Sequence, residues 1–345
     1  MLYNNVELFN VADIREESDG GVSLFRFPEY VRKVTRNMGS KMASAATMTE
    51  IRFVTDADTI WLTLESRIAD MPFFVFCGDY KYQSLTLRAG EKKTFVIEPS
   101  ATFSNKGEEL LASAHYRNRY LHNVWRIVIP DGYPVFHGVE ILSGSYIRPP
   151  MPCELPQKKL LIYGSSISHG CWSDSYMLGY TSIAADLLGV DVMNKGMSGS
   201  CREEPEMADY LAQEDFDVIY LELTTNMSNP KDFTTEEVMS RTEYLVRKVC
   251  EKNPDKKIVT SNAFTLIFGK EESKLNEHEV RVTAITNMVK ALIDKLKKEY
   301  DNLFFFDSSE VYREGYYSCY DFVHPSEFGH IRMAYNFAEV MKKYF

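Results

Sequence analysis

Residues 159–175 read KLLIYGSSISHGCWSDS. Leu160–Tyr163 are apolar, Gly164 ends the run, and two serines follow directly. A short apolar run that stops at a glycine predicts a buried strand of a parallel sheet. Gly164, Ser165 and Ser166 then sit just past its carboxyl end, where open α/β sheets bind ligands. A serine hydroxyl is a poor nucleophile alone. It needs a base to take its proton and an acid to orient that base. The rest of the chain can be searched for both.

Downstream of this stretch, strand and helix patterns alternate. Tyr180–Leu188 has helical spacing and Val190–Met193 reads as a strand. Asp217–Leu223 (DVIYLEL) is a stronger strand, and Thr234–Cys250 a helix with N-capping threonines ahead of Glu236 and Glu237. Lys257–Ser261 and Leu303–Asp307 read as strands, Glu277–Tyr300 and Ser326–Lys343 as helices. Such alternation predicts a parallel sheet with helices on both faces.

Upstream, the pattern is different. Glu50–Thr55, Thr59–Ser66, Tyr82–Leu87, Lys93–Ile97, Asn123–Ile129 and Val135–Leu142 alternate apolar and polar residues, separated by turn signals such as Pro130–Gly132. Short alternating strands with turns between them predict an all-β sandwich or jelly roll. Val31–Ala45 is a weakly periodic helix candidate. The proline-rich stretch Arg148–Pro156 lies between the two patterns and reads as a linker. The expected organisation is therefore a β-sandwich domain over residues 1–152 and an α/β domain over residues 153–345.

Composition narrows the function. The chain has 345 residues, 45% hydrophobic and 26% charged, with a net charge of −10. It can bury a large core, and it lacks the basic face that nucleic acid requires. The first residues do not form a signal peptide and no stretch approaches a membrane span, so neither nucleic acid nor membrane is an expected partner and a cytoplasmic location is expected. The six cysteines are scattered with no C-x-x-C pair, so no metal site is expected.

Of the seven histidines, His324 stands out. It lies in Asp321–Pro325 (DFVHP), with Asp321 three residues before it, so a local turn could set a carboxylate against one ring nitrogen and leave the other for a serine. His115, His122 and His137 fall in the β half and read as surface or structural; His278 opens a charged helix, and His330 reads as packing within the last helix. His169 and Trp172, in the loop after the serines, are candidate pocket residues. Asn194–Ser200 (NKGMSGS) follows the second strand and Leu221–Met227 (LELTTNM) the third. Both fall on the rim that carries the serines. A backbone N–H beside Gly199 and the Asn226 amide are the kind of donor that holds an oxyanion.

These four pieces, in this order, resemble the SGNH (GDSL-type) hydrolase family, which has a flavodoxin-like α/β/α domain. Gly164–Ser168 (GSSIS) matches its first block, with Ser166 on the nucleophile position. Gly199 and Asn226 match the second and third blocks, and Asp321 and His324 the last. The acid usual between glycine and nucleophile is Ser165 here, and the third block has Thr224, Thr225 and Met227 around its asparagine. A subset with G-S-S in the first block and an N-terminal β-sandwich is similar on these counts. It includes esterases of acylated carbohydrates and an O-acyltransferase. The resemblance implies a Ser166–His324–Asp321 triad, an oxyanion hole from Ser166, Gly199 and Asn226, and no cofactor. It implies first an esterase removing short acyl groups, acetyl foremost, from a carbohydrate or small-molecule ester. An acyltransferase to a sugar or natural-product hydroxyl is the second reading, and a binding module with a degenerate hydrolase domain the third.

Overall fold

A computed structural model describes residues 1–98, 119–265, 271–313 and 315–345. His115 lies outside the described residues. The chain divides into two compact units: Met1–Pro28 with Ser44–Gln157, and Glu29–Ala43 with Lys158–Phe345. The boundary thus falls a few residues beyond the proline-rich stretch rather than at 152. Residues 29–43, read from sequence as part of the first domain, are counted with the second.

The second unit is built on five parallel strands. They are β1 (Lys159–Tyr163), β2 (Asp191–Asn194), β3 (Val218–Glu222), β4 (Lys257–Ser261) and β5 (Leu303–Phe306). Their spatial order is β2-β1-β3-β4-β5, the flavodoxin-like order expected. Every residue of β2 and β3 is buried, which explains why these strands read as unbroken runs and not as alternating ones.

Local chemistry sets the helix ends. Tyr180–Leu188 stops at Gly189, which adopts the left-handed conformation (φ 70°) that terminates helices. Thr234 caps Thr235–Lys252 by accepting from the Glu237 N–H, and Asn276 and Glu279 form a reciprocal capping box on Glu277–Leu296. Ile167, Tyr180, Ala184, Met333 and Phe337 pack with Leu160, Ile162 and Tyr220 of the sheet in one buried cluster. Strand order reverses at β1: the chain passes to β2 on one side and returns to β3 on the other. The crevice this leaves at the carboxyl ends is where residues 166, 199 and 226 emerge.

The first unit has two antiparallel sheets, with strand orders led by Leu2–Tyr3 and by Asp13–Glu16. Ile51, Phe53, Phe73 and Ile127 of one share a buried core with Leu62, Leu64, Phe95 and Phe136 of the other. Phe73 and Phe95 meet edge-to-face at 4.9 Å. Met71–Cys77, a strand within this core, was not expected from sequence. The Val31–Ala45 helix candidate resolves into two helices, Glu29–Val34 and Met38–Ser44, interrupted by Asn37 at φ 54°. None of the described helices is long and apolar enough to cross a membrane.

One buried charge cluster holds the first sheet together on its other face. Arg52 and Arg126 stand directly opposite each other on paired strands, a repulsive placement on its own. Glu50 bridges them. Arg126 donates to both Glu50 carboxylate oxygens (2.8 and 2.6 Å) and Arg52 Nε donates to Oε2 (2.8 Å). Burial alone would raise the Glu50 carboxyl, and the two guanidinium groups outweigh it, holding it well below the usual range. Glu50→Gln should therefore cost about 3–5 kcal/mol of unfolding free energy, because two buried cations lose their nearest counter-ion and keep only the longer contacts of Arg52 to Glu7 (3.7 Å) and Arg126 to Asp79 (3.9 Å). The wild-type contribution is present above the ordinary carboxylate pKa and is lost as pH falls below it. Urea unfolding at neutral and acid pH reads both effects; equal stability of variant and wild type at neutral pH would refute the account.

Candidate active site

The serine turn is held from below. Ser165 adopts extended backbone angles and caps the short helix Ser166–His169, its Oγ accepting from the Ile167 N–H at 3.2 Å. The Ser165 hydroxyl donates to Glu222 Oε1 (2.5 Å) and its N–H to Oε2 (3.0 Å). Ser168 Oγ donates to Oε2 (2.5 Å) and Thr225 Oγ1 to Oε1 (2.6 Å). Glu222, the last residue of β3, is completely buried. Gly164 permits this approach, since a Cβ there would come 2.5 Å from Glu222 Oε2. Sequence reading gave Glu222 no role of its own. The signal that could have flagged it was an acid on the third strand facing a first block that lacks its usual acid.

Ser166 is mostly buried, and its Oγ lies 2.7 Å from His324 Nε2. The other ring nitrogen, Nδ1, lies 2.6 Å from Asp321 Oδ2. A carboxylate accepts only, so Nδ1 carries the hydrogen and Nε2 is left to accept from the serine. Asp321 Oδ1 also accepts the backbone N–H groups of Val323 (3.0 Å) and His324 (3.1 Å). Burial would raise the Asp321 carboxyl, but these bonds and that from His324 hold it below its ordinary range. Phe322, at φ 55°, makes the tight turn between the two residues. The Trp172 ring stacks on His324 (5.6 Å, 29°) and meets Tyr320 edge-on at 5.5 Å. Both Trp172 and Tyr320 are exposed.

Gly199 and Asn226 occupy neighbouring turns. Gly199 is left-handed (φ 64°), and the Cys201 N–H two residues on donates to Asn226 Oδ1 at 3.0 Å. That bond turns the Asn226 NH₂ away from Cys201. Residues 29–43 reach the same turn: a Cβ on Gly39 would lie 3.3 Å from Ser200 Cβ, and one on Gly199 would lie 3.8 Å from Met38 Cγ. No sequence pattern signalled that contact.

Glu203 braces the asparagine turn. It is fully buried, accepts the Thr224 N–H at 2.7 Å, and lies 2.6 Å from Thr242 Oγ1. Burial pushes its carboxyl up to about 7, against the pull of those two bonds. The protonated form suits the surroundings. Thr242 Oγ1 has one hydrogen and two acceptors in reach, Glu203 and the Val238 carbonyl at 2.9 Å. A carboxyl O–H donating to Thr242 lets Thr242 donate to Val238 and satisfies both.

Two histidines lie off the rim. His169, expected as a pocket residue, is completely buried and stacks on Tyr176 at 4.7 Å. Its backbone lies against Gly196, within 2.5 Å of where a Cβ would be, so the ring is enclosed and not a pocket wall. His330 packs, as expected: its Nδ1 accepts the Tyr180 N–H (3.2 Å) and its Nε2 donates to the Cys171 carbonyl (2.9 Å). Burial pulls its pKa down to about 4, so it remains neutral.

The GDSL-like lipase/acylhydrolase family model matches residues 157–342. The chain belongs to this family. Several solved structures are similar over nearly the whole chain. The salicylyl-acyltransferase SsfX3 from a tetracycline biosynthetic pathway superimposes with a TM-score of 0.79 at 15% identity, covering 99% of this chain and 95% of that one. A family two carbohydrate esterase from Clostridium thermocellum, in complex with cellohexaose, gives 0.64 at 13% identity over 98% of each chain. An acetyl xylan esterase from the rumen bacterium Butyrivibrio proteoclasticus gives 0.53 at 12%, over 99% and 96%. No curated protein matches the sequence. Membership places the chain in a family of lipases and acylhydrolases.

Two predictions follow from the buried acids. Glu222→Gln replaces one acceptor oxygen by a donor and strands part of the serine-turn network. It should lower unfolding free energy by about 1–3 kcal/mol in urea titration; an unchanged midpoint would count against the network. Glu203 acts through pH. Its folded pKa lies above the ordinary value of 4.5, so the folded chain holds a proton that the unfolded chain releases. The stabilisation is complete below the ordinary value and disappears as pH rises towards about 7, a change of at most about 3 kcal/mol. Glu203→Gln should flatten that part of the stability–pH curve, and a variant with the wild-type slope would exclude Glu203 as its source.

Proposed function

We propose that the chain is a serine esterase acting on an acylated carbohydrate or similar polyhydroxylated alcohol. The observation that carries this is the continuous relay Ser166 Oγ–His324 Nε2–Nδ1–Asp321, with both links shorter than 2.8 Å. Ser166 Oγ attacks the ester carbonyl carbon while His324 Nε2 takes its proton. Asp321 holds the imidazole in the required tautomer and stabilises its charged form. The Ser166 and Gly199 N–H groups and the Asn226 amide stabilise the oxyanion. His324 then returns the proton to the departing alcohol. Water, deprotonated by His324, releases the acid from the acyl-enzyme and regenerates Ser166.

The carbohydrate reading is supported by the family two esterase with cellohexaose among the similar structures. The exposed Trp172 and Tyr320 rings beside His324, set nearly perpendicular to each other, also offer apolar faces of the kind on which sugar rings rest. A second reading, transfer of the acyl group to another hydroxyl, is favoured by the match to the salicylyl-acyltransferase over nearly the whole chain. The chemistry is the same until the last step, where an alcohol replaces water.

Acylated sugars incubated with and without an acceptor sugar, read by mass spectrometry, separate the two readings: free acid marks hydrolysis, a new ester marks transfer. Ser166→Ala should lose several orders of magnitude in turnover, and Ser165→Ala should retain a measurable share. Asn226→Ala should lose roughly a hundred- to a thousand-fold. Activity that survives Ser166→Ala but not Ser165→Ala would move the nucleophile by one residue. Activity untouched by His324→Ala would remove the relay from the mechanism.

A further inference from the structure

A cavity of about 640 Å³ lies on the β3–β4 side of the rim. It begins one residue from the proposed chemistry. Thr225 in its wall immediately precedes Asn226, and Val323 immediately precedes His324. Ser166, Asn226 and His324 themselves do not line it. Phe264 after β4, Val282 and Ile285 of helix Glu277–Leu296, and Phe322 supply most of its apolar surface. The polar part of the described lining is mainly threonine and serine, with His278 and Glu279 at the first turn of that helix. Such a wall suits an uncharged apolar group.

The size is the informative quantity. Pockets that enclose most of a small ligand span about 300–1,000 Å³. An acetyl ester carries a single methyl beyond its carbonyl carbon and would leave nearly all of this space unfilled. Trp172, stacked on His324, and Tyr320 beside it do not line the cavity. The alcohol has to receive its proton from His324, where Trp172 and Tyr320 stand. The carbonyl oxygen of the acyl group is the atom the proposed Asn226 donor holds, and Thr224 and Thr225, which directly precede Asn226, line the cavity, so the acyl group is the part of the ester set beside it.

We propose that this cavity is the acyl-binding site and that it takes an uncharged acyl group of about six carbons or a single ring, larger than the acetyl group expected from sequence. The proposal rests on the serine-esterase reading of the same site. Each methylene moved from water into an apolar wall raises affinity by about fourfold. With the leaving group held constant, kcat/KM for p-nitrophenyl hexanoate or benzoate should therefore exceed that for the acetate by about tenfold or more, mainly through KM.

The test uses two variants that fill the cavity from one face of the same helix, Val282→Trp and Thr286→Trp, both at half-buried positions. Each should lower the hexanoate-to-acetate ratio of kcat/KM by about tenfold or more. Circular dichroism and urea midpoints identify a variant that has failed to fold, in which case the other decides. A second arm holds the acyl group as acetate and varies the alcohol from phenol to 2-naphthol. If the tryptophan variants selectively lose the larger alcohol, the cavity holds the leaving group and the acyl assignment is overturned. A wild-type preference for acetate, or losses shared equally by all esters in both folded variants, overturns it as well. Ser166→Ala in parallel separates this from the parent reading. If that variant still cleaves every ester, the mechanism fails; if it is inactive while the ratios stay fixed, only the cavity assignment fails.

Discussion

Four hydrogen bonds converge on one buried carboxylate, and the geometry of the rim depends on them. Glu222 ends β3, yet three of its four donors come from the turn after β1 and the fourth from the turn after β3. A buried carboxylate is costly unless its oxygens are saturated. The same bonds that satisfy its oxygens therefore lock the Ser166 turn to the Asn226 turn. Glu203 repeats the device one layer out, gripping the Thr224 N–H from the turn after β2. Two acids thus tie the loops of three adjacent strands together without contributing a side chain to the rim itself.

Much of the second unit was legible because its signals are local. The five parallel strands lie within about two residues of their expected limits, since each is a buried apolar run bounded by turn residues. The D-x-x-H spacing allowed a local Asp321–His324 contact without requiring it, and the fourfold block pattern pointed from there to Ser166. The first unit was less legible. Met71–Cys77 (MPFFVFC) carries a proline and an almost unbroken apolar run, so it lacks the alternation by which its neighbours were found. Val6–Phe9 and Val22–Phe25 are too short to show a period. Glu222, the enclosure of His169 and the approach of Gly39 to Ser200 are tertiary facts with no counterpart in local spacing.

Two different surfaces adjoin the proposed relay. On the proposed reading, exposed aromatic rings beside His324 would meet the alcohol and a largely apolar cavity beside Asn226 would take the acid. On that reading, one active site would carry both preferences because they act on opposite ends of the same ester bond.

The passage of residues 29–43 into the second unit has a consequence for how this chain can be inherited or dissected. The peptide crosses between units after Pro28, after Ala43 and after Gln157. A GDSL-type unit joined to its neighbour by one linker could be exchanged like a cassette, by a single recombination or a single proteolytic cut. Here any one break between the units leaves two strands of connection intact. A fragment starting at Lys158 would lack the residues that touch the Gly199–Ser200 turn. The pair is threaded rather than appended, and it can be transferred only as a whole.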